Sequence, residues 1–288
     1  MTEERNSTGI WPQVGTQLGG GAAISYRVGR LIRQVQSARI HTVTNEFGTP
    51  LVLKVFRIEQ REGESATVQW QRERDLLQRV NHPRVLRLRD AFCCDQHPCL
   101  VLERADTSLE EWIHARGPLM DRDASELARQ LLQGLDAIHR AGILHLDLTP
   151  ANVLLHLGKS PRKRPRALIA DFGIAVRADE DVQLGRPPRA WANLPPEMLR
   201  PGTHRPTPHL DLYGLGLTLL FARRGALPVT NTLPPEEVER QVLAGAFSRE
   251  AERLASPLGS FLARLLQVDP QRRFGSALEA WRALKPPS

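Results

Sequence analysis

The chain has 288 residues, 41% of them hydrophobic, a net charge of +7 and a pI near 10.0. That content suits one large domain or two small lobes. No apolar run reaches the roughly 20 residues of a membrane span, and the opening MTEERNSTG lacks a signal-peptide core, so a cytoplasmic protein is expected.

Three cysteines are too few for a disulfide scaffold. Cys93, Cys94 and Cys99 cluster with His97, but the spacing is irregular for zinc and lies beside an apolar run, so ordinary half-buried cysteines are expected. The basic excess comes with scattered arginines and no nucleic-acid motif, which makes nucleic acid an unexpected partner.

In chain order, residues 1–25 read as a flexible leader. Within it Gly19-Gly20-Gly21 supplies only two glycines of a phosphate-cradling G-x-G-x-x-G pattern, with Ile24 at the third position. Residues 26–32 read as the first strand. Residues 39–44 and 51–56, divided by Asn45-Glu46-Phe47-Gly48, read as a hairpin. The hairpin places Lys54 in an apolar strand, where its charge needs a partner. A helical pattern over 65–80 brings Glu73. Residues 86–89 and 100–103 read as two further strands. Thr107 or Ser108 caps a short helix with Glu110 and Glu111 in its first turn. Leu127, Leu131, Leu132, Leu135 and Ile138 recur at helical spacing within 121–140, and Gly142 stops that helix. Residues 209–222 are again helical.

After the 121–140 helix comes His145-Leu146-Asp147-Leu148-Thr149-Pro150-Ala151-Asn152, and then Asp171-Phe172-Gly173. An aspartate and an asparagine five apart can share one loop. A second aspartate in a tight turn can reach the same metal-bound phosphates. In this order the two motifs resemble the catalytic core of the eukaryotic-type (Hanks-type) protein kinase family. Further matches extend the resemblance over 26–284. Leu51-Val52-Leu53-Lys54 resembles V-A-I-K. Glu73 stands nine residues before His82-Pro83. Leu194-Pro195-Pro196-Glu197 resembles A-P-E. Asp211-Leu212-Tyr213-Gly214-Leu215-Gly216 resembles D-x-W-x-x-G, and the run from Leu265 to Arg273 resembles L-L-x-x-D-P-x-x-R.

The resemblance implies an α+β, two-lobed fold, with a small β-rich N-lobe and hinge over 26–105 and a larger helical C-lobe over 106–284. It implies an ATP- and Mg²⁺-dependent kinase acting on serine or threonine of a protein substrate. A pseudokinase scaffold and a small-molecule kinase are the alternatives. Asp147 would orient the attacking hydroxyl. Lys54, paired with Glu73, would hold the α- and β-phosphates, and Asn152 and Asp171 would hold the metal. Ile40, Val52, Leu102 and the backbone at Glu103 and Ala105 would surround adenine. Arg33, Val35 and Ala38 occupy the three glycine positions of the phosphate-covering loop. Arg33 to Lys54 is 21 positions, matching the family spacing of roughly 20–22. Asp211 would hold the catalytic loop, and Arg273 would pair with Glu197.

The departures are equally specific. The glycine loop has no glycine. Val52 replaces a usual alanine under adenine. Leu146 stands where arginine commonly grips a segment phosphate, and no serine, threonine or tyrosine lies between Gly173 and Pro195. Thr149 replaces the lysine that contacts the γ-phosphate, and Ala190 replaces that lysine's threonine partner. Arg186 or Arg189 is a candidate replacement cation. The basic stretch 159–166 reads as a solvated hairpin tip, with docking of an acidic partner as the alternative.

Overall fold

The computed structural model describes residues 11–21, 24–35, 37–57, 66–158, 164–180, 191–200 and 205–284. The chain divides into two compact units. The first takes residues up to Arg79 together with Leu86–Arg104, and the second takes Val80–Val85 and everything from Ala105 onward.

Among the described residues the first unit is a six-stranded antiparallel sheet and one helix. Its strands are β1 (Gln17–Gly19), β2 (Ser25–Gln34), β3 (Ala38–Asn45), β4 (Pro50–Phe56), β5 (Leu88–Cys94) and β6 (His97–Glu103), in the order β1-β2-β3-β4-β6-β5. Helix α1 (Ala66–Arg79) packs against β4, β5 and β6. Directly opposed residues of antiparallel strands share a face, so register sorts the side chains. Leu51, Leu53 and Val55 oppose Val43, His41 and Arg39 on one face. Val52 and Lys54 oppose Thr42 and Ile40 on the other. The first face carries an apolar cluster that includes Val28, Val43, Leu51, Leu53, Val55 and Val101.

That cluster is covered by the N-terminal segment. The described residues of that segment, 11–21 and 24–25, are packed rather than free, in contrast to the expected flexible leader; residues 1–10, 22 and 23 lie outside those described. β1 pairs with β2, Leu18 enters the cluster, and Trp11 stacks on His97 with ring centroids 5.2 Å apart. Two glycines of the triplet, Gly20 and Gly21, serve this packing. A Cβ on Gly20 would lie 2.3 Å from an Asp90 carboxylate oxygen and 2.5 Å from the Tyr26 ring, so only glycine lets the segment approach β5. Tyr26 in turn donates a 3.1 Å hydrogen bond to Asp90.

The expected strand at 86–89 begins later and runs on to Cys94. The reason is the β5–β6 turn, where Asp95 and Gln96 both take positive φ, 45° and 68°, and close a hairpin the sequence does not advertise with glycine. The cysteines sit in that hairpin as ordinary strand residues. Burial pushes the Cys99 thiol up to about 12, and Cys99 donates to the His97 carbonyl at 3.4 Å.

The second unit is mainly helical. After β7 (Thr107–Ser108), Ser108 caps α2 (Leu109–Arg116) in a reciprocal box: Glu111 N–H donates to Ser108 Oγ at 3.1 Å, and Ser108 N–H to Glu111 Oε2 at 3.0 Å. Helix α3 (Asp121–Arg140) buries one stripe, including Leu127, Leu131, Leu135 and Ile138, and ends before Gly142 at φ 71°. It packs against the helix at Pro208–Arg224, the strand at Arg166–Ile169 and the last helix, Ala277–Ala283. The strands are β8 (Ile143–Leu144), β9 (Val153–His156), β10 (Arg166–Ile169) and β11 (Val176–Arg177). The helices that follow are α4 (Pro196–Leu199), α5 (Pro208–Arg224), α6 (Pro235–Leu243), α7 (Ala246–Glu252), α8 (Pro257–Leu265) and α9 (Ala277–Ala283). α5 is buried nearly all round and forms the core of this unit.

Residues 80–85 join the second unit because Val85 bridges Ile169 of β10 and the Arg84 carbonyl accepts the Ile169 N–H at 2.8 Å. Arg273 is buried and forms a two-pronged pair with Glu197, both N···O distances 2.7 Å, while also donating to the carbonyls of Gln267 and His209. No helix among the described residues is long and apolar enough to cross a membrane.

Candidate active site

In the first unit, β4 and α1 bring Lys54 and Glu73 together. Lys54 Nζ lies 2.9 and 2.7 Å from the two Glu73 carboxylate oxygens. Both residues are buried, Lys54 to 8% exposure and Glu73 to 2%. A buried lysine without such a partner would be costly, so the pair fixes where the ammonium sits. Ile40, Val52 and Leu102 share the Lys54 face, since Val52 opposes Leu102 and Lys54 opposes Ile40. The β2–β3 tip follows the register that skips the Gly19 triplet: Val35 N–H donates to the Ala38 carbonyl at 2.9 Å, with Arg33 opposite Ile40. Arg33 is exposed, Val35 and Ile40 are half-buried, and Ala38 is fully buried opposite Phe56. Glu103 closes β6, and its N–H donates to the Arg87 carbonyl at 2.9 Å.

In the second unit, the hairpin β9–β10 sets the other residues. Asn152 immediately precedes β9, and Asp171 follows β10 by two residues. Val153 pairs with Ile169, and the Ala170 N–H donates to the Asn152 carbonyl at 2.9 Å. Two residues far apart in sequence therefore stand at one end of one hairpin. Asn152 Nδ2 donates to Asp147 twice, to the carboxylate at 2.7 Å and to the main-chain carbonyl at 3.0 Å. Burial pushes the Asp147 carboxyl above its ordinary range, and the Asp171 charge adds to that push. His145 and the Asn152 hydrogen bond oppose it. Leu146 and Asp171 both adopt left-handed backbone, φ 63° and 66°, which costs energy outside glycine and needs external support.

The support for Leu146 comes from α5. Asp211 accepts from the His145 N–H at 2.9 Å, from the Leu146 N–H at 2.7 Å, and binds His139 Nε2 at 2.8 Å. Burial alone would raise the Asp211 carboxyl. The His139 contact, with His145, outweighs it and holds the group below its ordinary range. Two helical turns further, Thr218 Oγ1 donates to the Leu148 carbonyl at 2.9 Å, and a Cβ on Gly214, between them, would press to 3.1 Å from that oxygen. His145 Nε2 lies 3.1 Å from the Ala170 carbonyl, and its ring packs edge-on to Phe172 at 5.0 Å.

The sequence did not mark His139 or Thr218. Both belong to helices whose periodicity explains them as packing residues, and their partners are 72 and 70 positions away. Ala105 lies at the start of the second unit and is half-buried. Arg186, Arg189, Ala190 and residues 159–163 of the basic stretch lie outside the described residues. Among the described residues no three His, Cys, Asp or Glu side chains form a metal-holding group.

The chain is 32% identical over 245 residues to serine/threonine-protein kinase pkn2 of Myxococcus xanthus, covering 82% of this chain and 29% of that protein. It is 28% identical over 240 residues to human serine/threonine-protein kinase H1, covering 81% of this chain and 54% of the relative. It is 29% identical over 240 residues to serine/threonine-protein kinase PkaA of Streptomyces coelicolor, covering 80% of this chain and 42% of that one. The chain thus spans between about a third and a half of the curated relatives it matches. The model of the protein kinase domain matches residues 26–284, and with an α+β architecture of β-rich and helical units the chain belongs to that family.

Proposed function

We propose that the chain is an ATP- and Mg²⁺-dependent kinase that transfers the γ-phosphoryl group to a serine or threonine hydroxyl of a protein. One observation carries the reading: a hydrogen-bonded Asp147–Asn152 pair stands with Asp171 at one end of the β9–β10 hairpin. Phosphoryl transfer asks a protein for position and charge compensation more than covalent chemistry, and these are oxygen-rich, fixed groups.

Asp147 orients the acceptor hydroxyl and takes its proton. Its raised carboxyl suits that role better than an ordinary aspartate, because a proton acceptor works best when its own affinity for the proton is not too low. The Asn152 amide fixes which Asp147 oxygen stays available. The Asn152 side-chain carbonyl and the Asp171 carboxylate are hard oxygen donors of the kind Mg²⁺ prefers, and Mg²⁺ takes few protein ligands when phosphates supply the others. When bound, the metal neutralises charge on the transferring phosphoryl group. Lys54, oriented by Glu73, contacts the α- and β-phosphates. Ile40, Val52 and Leu102, with the backbone at Glu103 and Ala105, receive adenine. For the basic stretch 159–166, docking of an acidic partner is the alternative to a solvated hairpin tip, and the chain works in the cytoplasm.

The test is transfer of labelled γ-phosphate to serine/threonine protein acceptors by the purified chain, beside Asp147→Asn and Asp171→Asn. Transfer by the parent alone is expected. Equal label from all three proteins would remove the assignment.

A further inference from the structure

Two arginines stand near the tip of the β2–β3 hairpin, one on each face of the sheet. Arg39 opposes Val55 and lies on the face of the apolar cluster. It is tied down there: its Nε donates to Gln34 Oε1 at 3.1 Å, and its guanidinium carbon sits 4.4 Å from the centre of the Trp11 ring. Arg33 opposes Ile40, which opposes Lys54, so Arg33, Ile40 and Lys54 form one row across β2, β3 and β4 on the opposite face. Strands lie about 4.8 Å apart, which puts the Arg33 and Lys54 backbones about 10 Å from each other, within reach of one polyphosphate for two long side chains.

This placement depends on an irregularity. Leu31 opposes His41 and so belongs to the cluster face, and in a regular strand Arg33, two residues on, would join it there. The register shifts between Leu31 and Arg33, and the bulge at Ile32 turns Arg33 to the Lys54 face. Arg33 is exposed and makes no hydrogen bond or ion pair among the described residues, in contrast to Arg39.

We propose that Arg33 is a phosphate-binding residue of the nucleotide site. Its guanidinium supplies from a side chain the contact that the family supplies through glycine backbone N–H groups. The planar fork of donors on a guanidinium matches phosphate oxygens. The chain also carries Thr149 where the family resemblance implies a phosphate-contacting lysine, so Arg33 keeps the number of cations offered to the phosphates constant. The inference rests on the kinase reading above and makes the opposite prediction from a steric one. If Arg33 merely obstructed the loop, restoring glycine would tighten nucleotide binding.

The experiment is calorimetric titration of the full chain, Arg33→Gly and Arg33→Lys with Mg·ATP and, separately, with adenosine. Arg33→Gly is expected to weaken Mg·ATP by about tenfold, the scale of one charge-assisted contact, and to leave adenosine unchanged. Arg33→Lys, which keeps the charge and loses the planar fork, is expected to recover part of that loss. The proposal is overturned if Arg33→Gly binds Mg·ATP as tightly as the parent or more tightly, if adenosine weakens in parallel, or if the lysine variant is no better than the glycine one. A parent chain that binds neither ligand would instead remove the kinase reading on which the proposal rests.

Discussion

The two units hold their functional groups in different ways. In the first, Lys54 on one strand of a sheet is positioned by a side-chain partner on α1. In the second, the 145–152 loop is held through its backbone. Asp211 takes two consecutive N–H groups, Thr218 reaches the Leu148 carbonyl, and the Asn152 carbonyl is bonded to Ala170. Side-chain pairs tolerate replacement by other pairs, whereas backbone clamps constrain the path of the chain whatever residues it carries. Leu146 and Thr149 are replacements of that kind: the side chains differ from the family pattern, and the loop keeps its clamps.

The largest effect should come from removing chemistry and leaving the clamp. Asp147→Asn is expected to lower kcat by roughly 10²–10⁴-fold, the range for a positioned proton acceptor, with a melting temperature close to the parent's. A matching loss of stability would mean that Asp147 is a structural residue.

Next is the pair of buried Arg273 and half-buried Glu197 that ties α4 to the loop before the last helix. Arg273→Ala leaves Glu197 without its partner and is expected to cost about 3 kcal/mol in denaturant unfolding, the low end for a broken buried pair because Glu197 keeps some solvent contact. A cost below about 1 kcal/mol would show that the pair contributes no more than an exposed one.

Asp211→Ala breaks the comparison most directly, since it leaves two buried N–H groups without an acceptor. A cost of about 1–3 kcal/mol is expected for each unsatisfied group, together with a fall in kcat. Because the folded Asp211 pKa is depressed, its contribution is complete above the unfolded carboxyl range and is lost as pH falls through the folded value. The stability difference between parent and variant should therefore shrink in strong acid.

In the first unit the double variant Lys54→Met with Glu73→Leu should abolish transfer while changing stability by less than about 1.5 kcal/mol, because a buried ion pair and a packed apolar pair are often equivalent in stability. If it unfolds the first unit, the contrast between the two modes of support is wrong.

The smallest effect is in pH dependence. Asp147 must be ionised to accept a proton, and its folded pKa is raised, so it retains a proton to higher pH than a solvated aspartate. The acid limb of log kcat/KM is expected to have its midpoint above the ordinary aspartate value of 3.8. A limb at or below that value would place the essential ionisation elsewhere.

Much of this architecture was legible because local signals and long-range needs agreed. The stripe from Leu127 to Ile138 and the stop at Gly142 define α3 with boundaries matching the observed Asp121–Arg140. An apolar strand with one lysine demanded an acid, and Glu73 on the following helix answered it. What failed to show was long-range. Gly20 looks like loop glycine until Asp90 and Tyr26, 70 and 6 positions on, are seen crowding it. His139 looks like the end of a helix until Asp211 arrives from another one. The Arg33 face was hidden because the bulge at Ile32 leaves no mark in composition.

The covering segment bears on how the domain can be handled. The family match starts at residue 26, an inviting place to begin a recombinant domain. Cutting there would remove Leu18 and Trp11 from the cluster over Val28, Val43 and Leu53, and would leave β2 as a bare sheet edge. An unpaired strand beside an uncovered apolar face is a template for intermolecular pairing. A chain started at Tyr26 should precipitate or self-associate under conditions where one started at Trp11 stays monodisperse, an outcome that would set the boundary of this kinase domain by solubility rather than by activity.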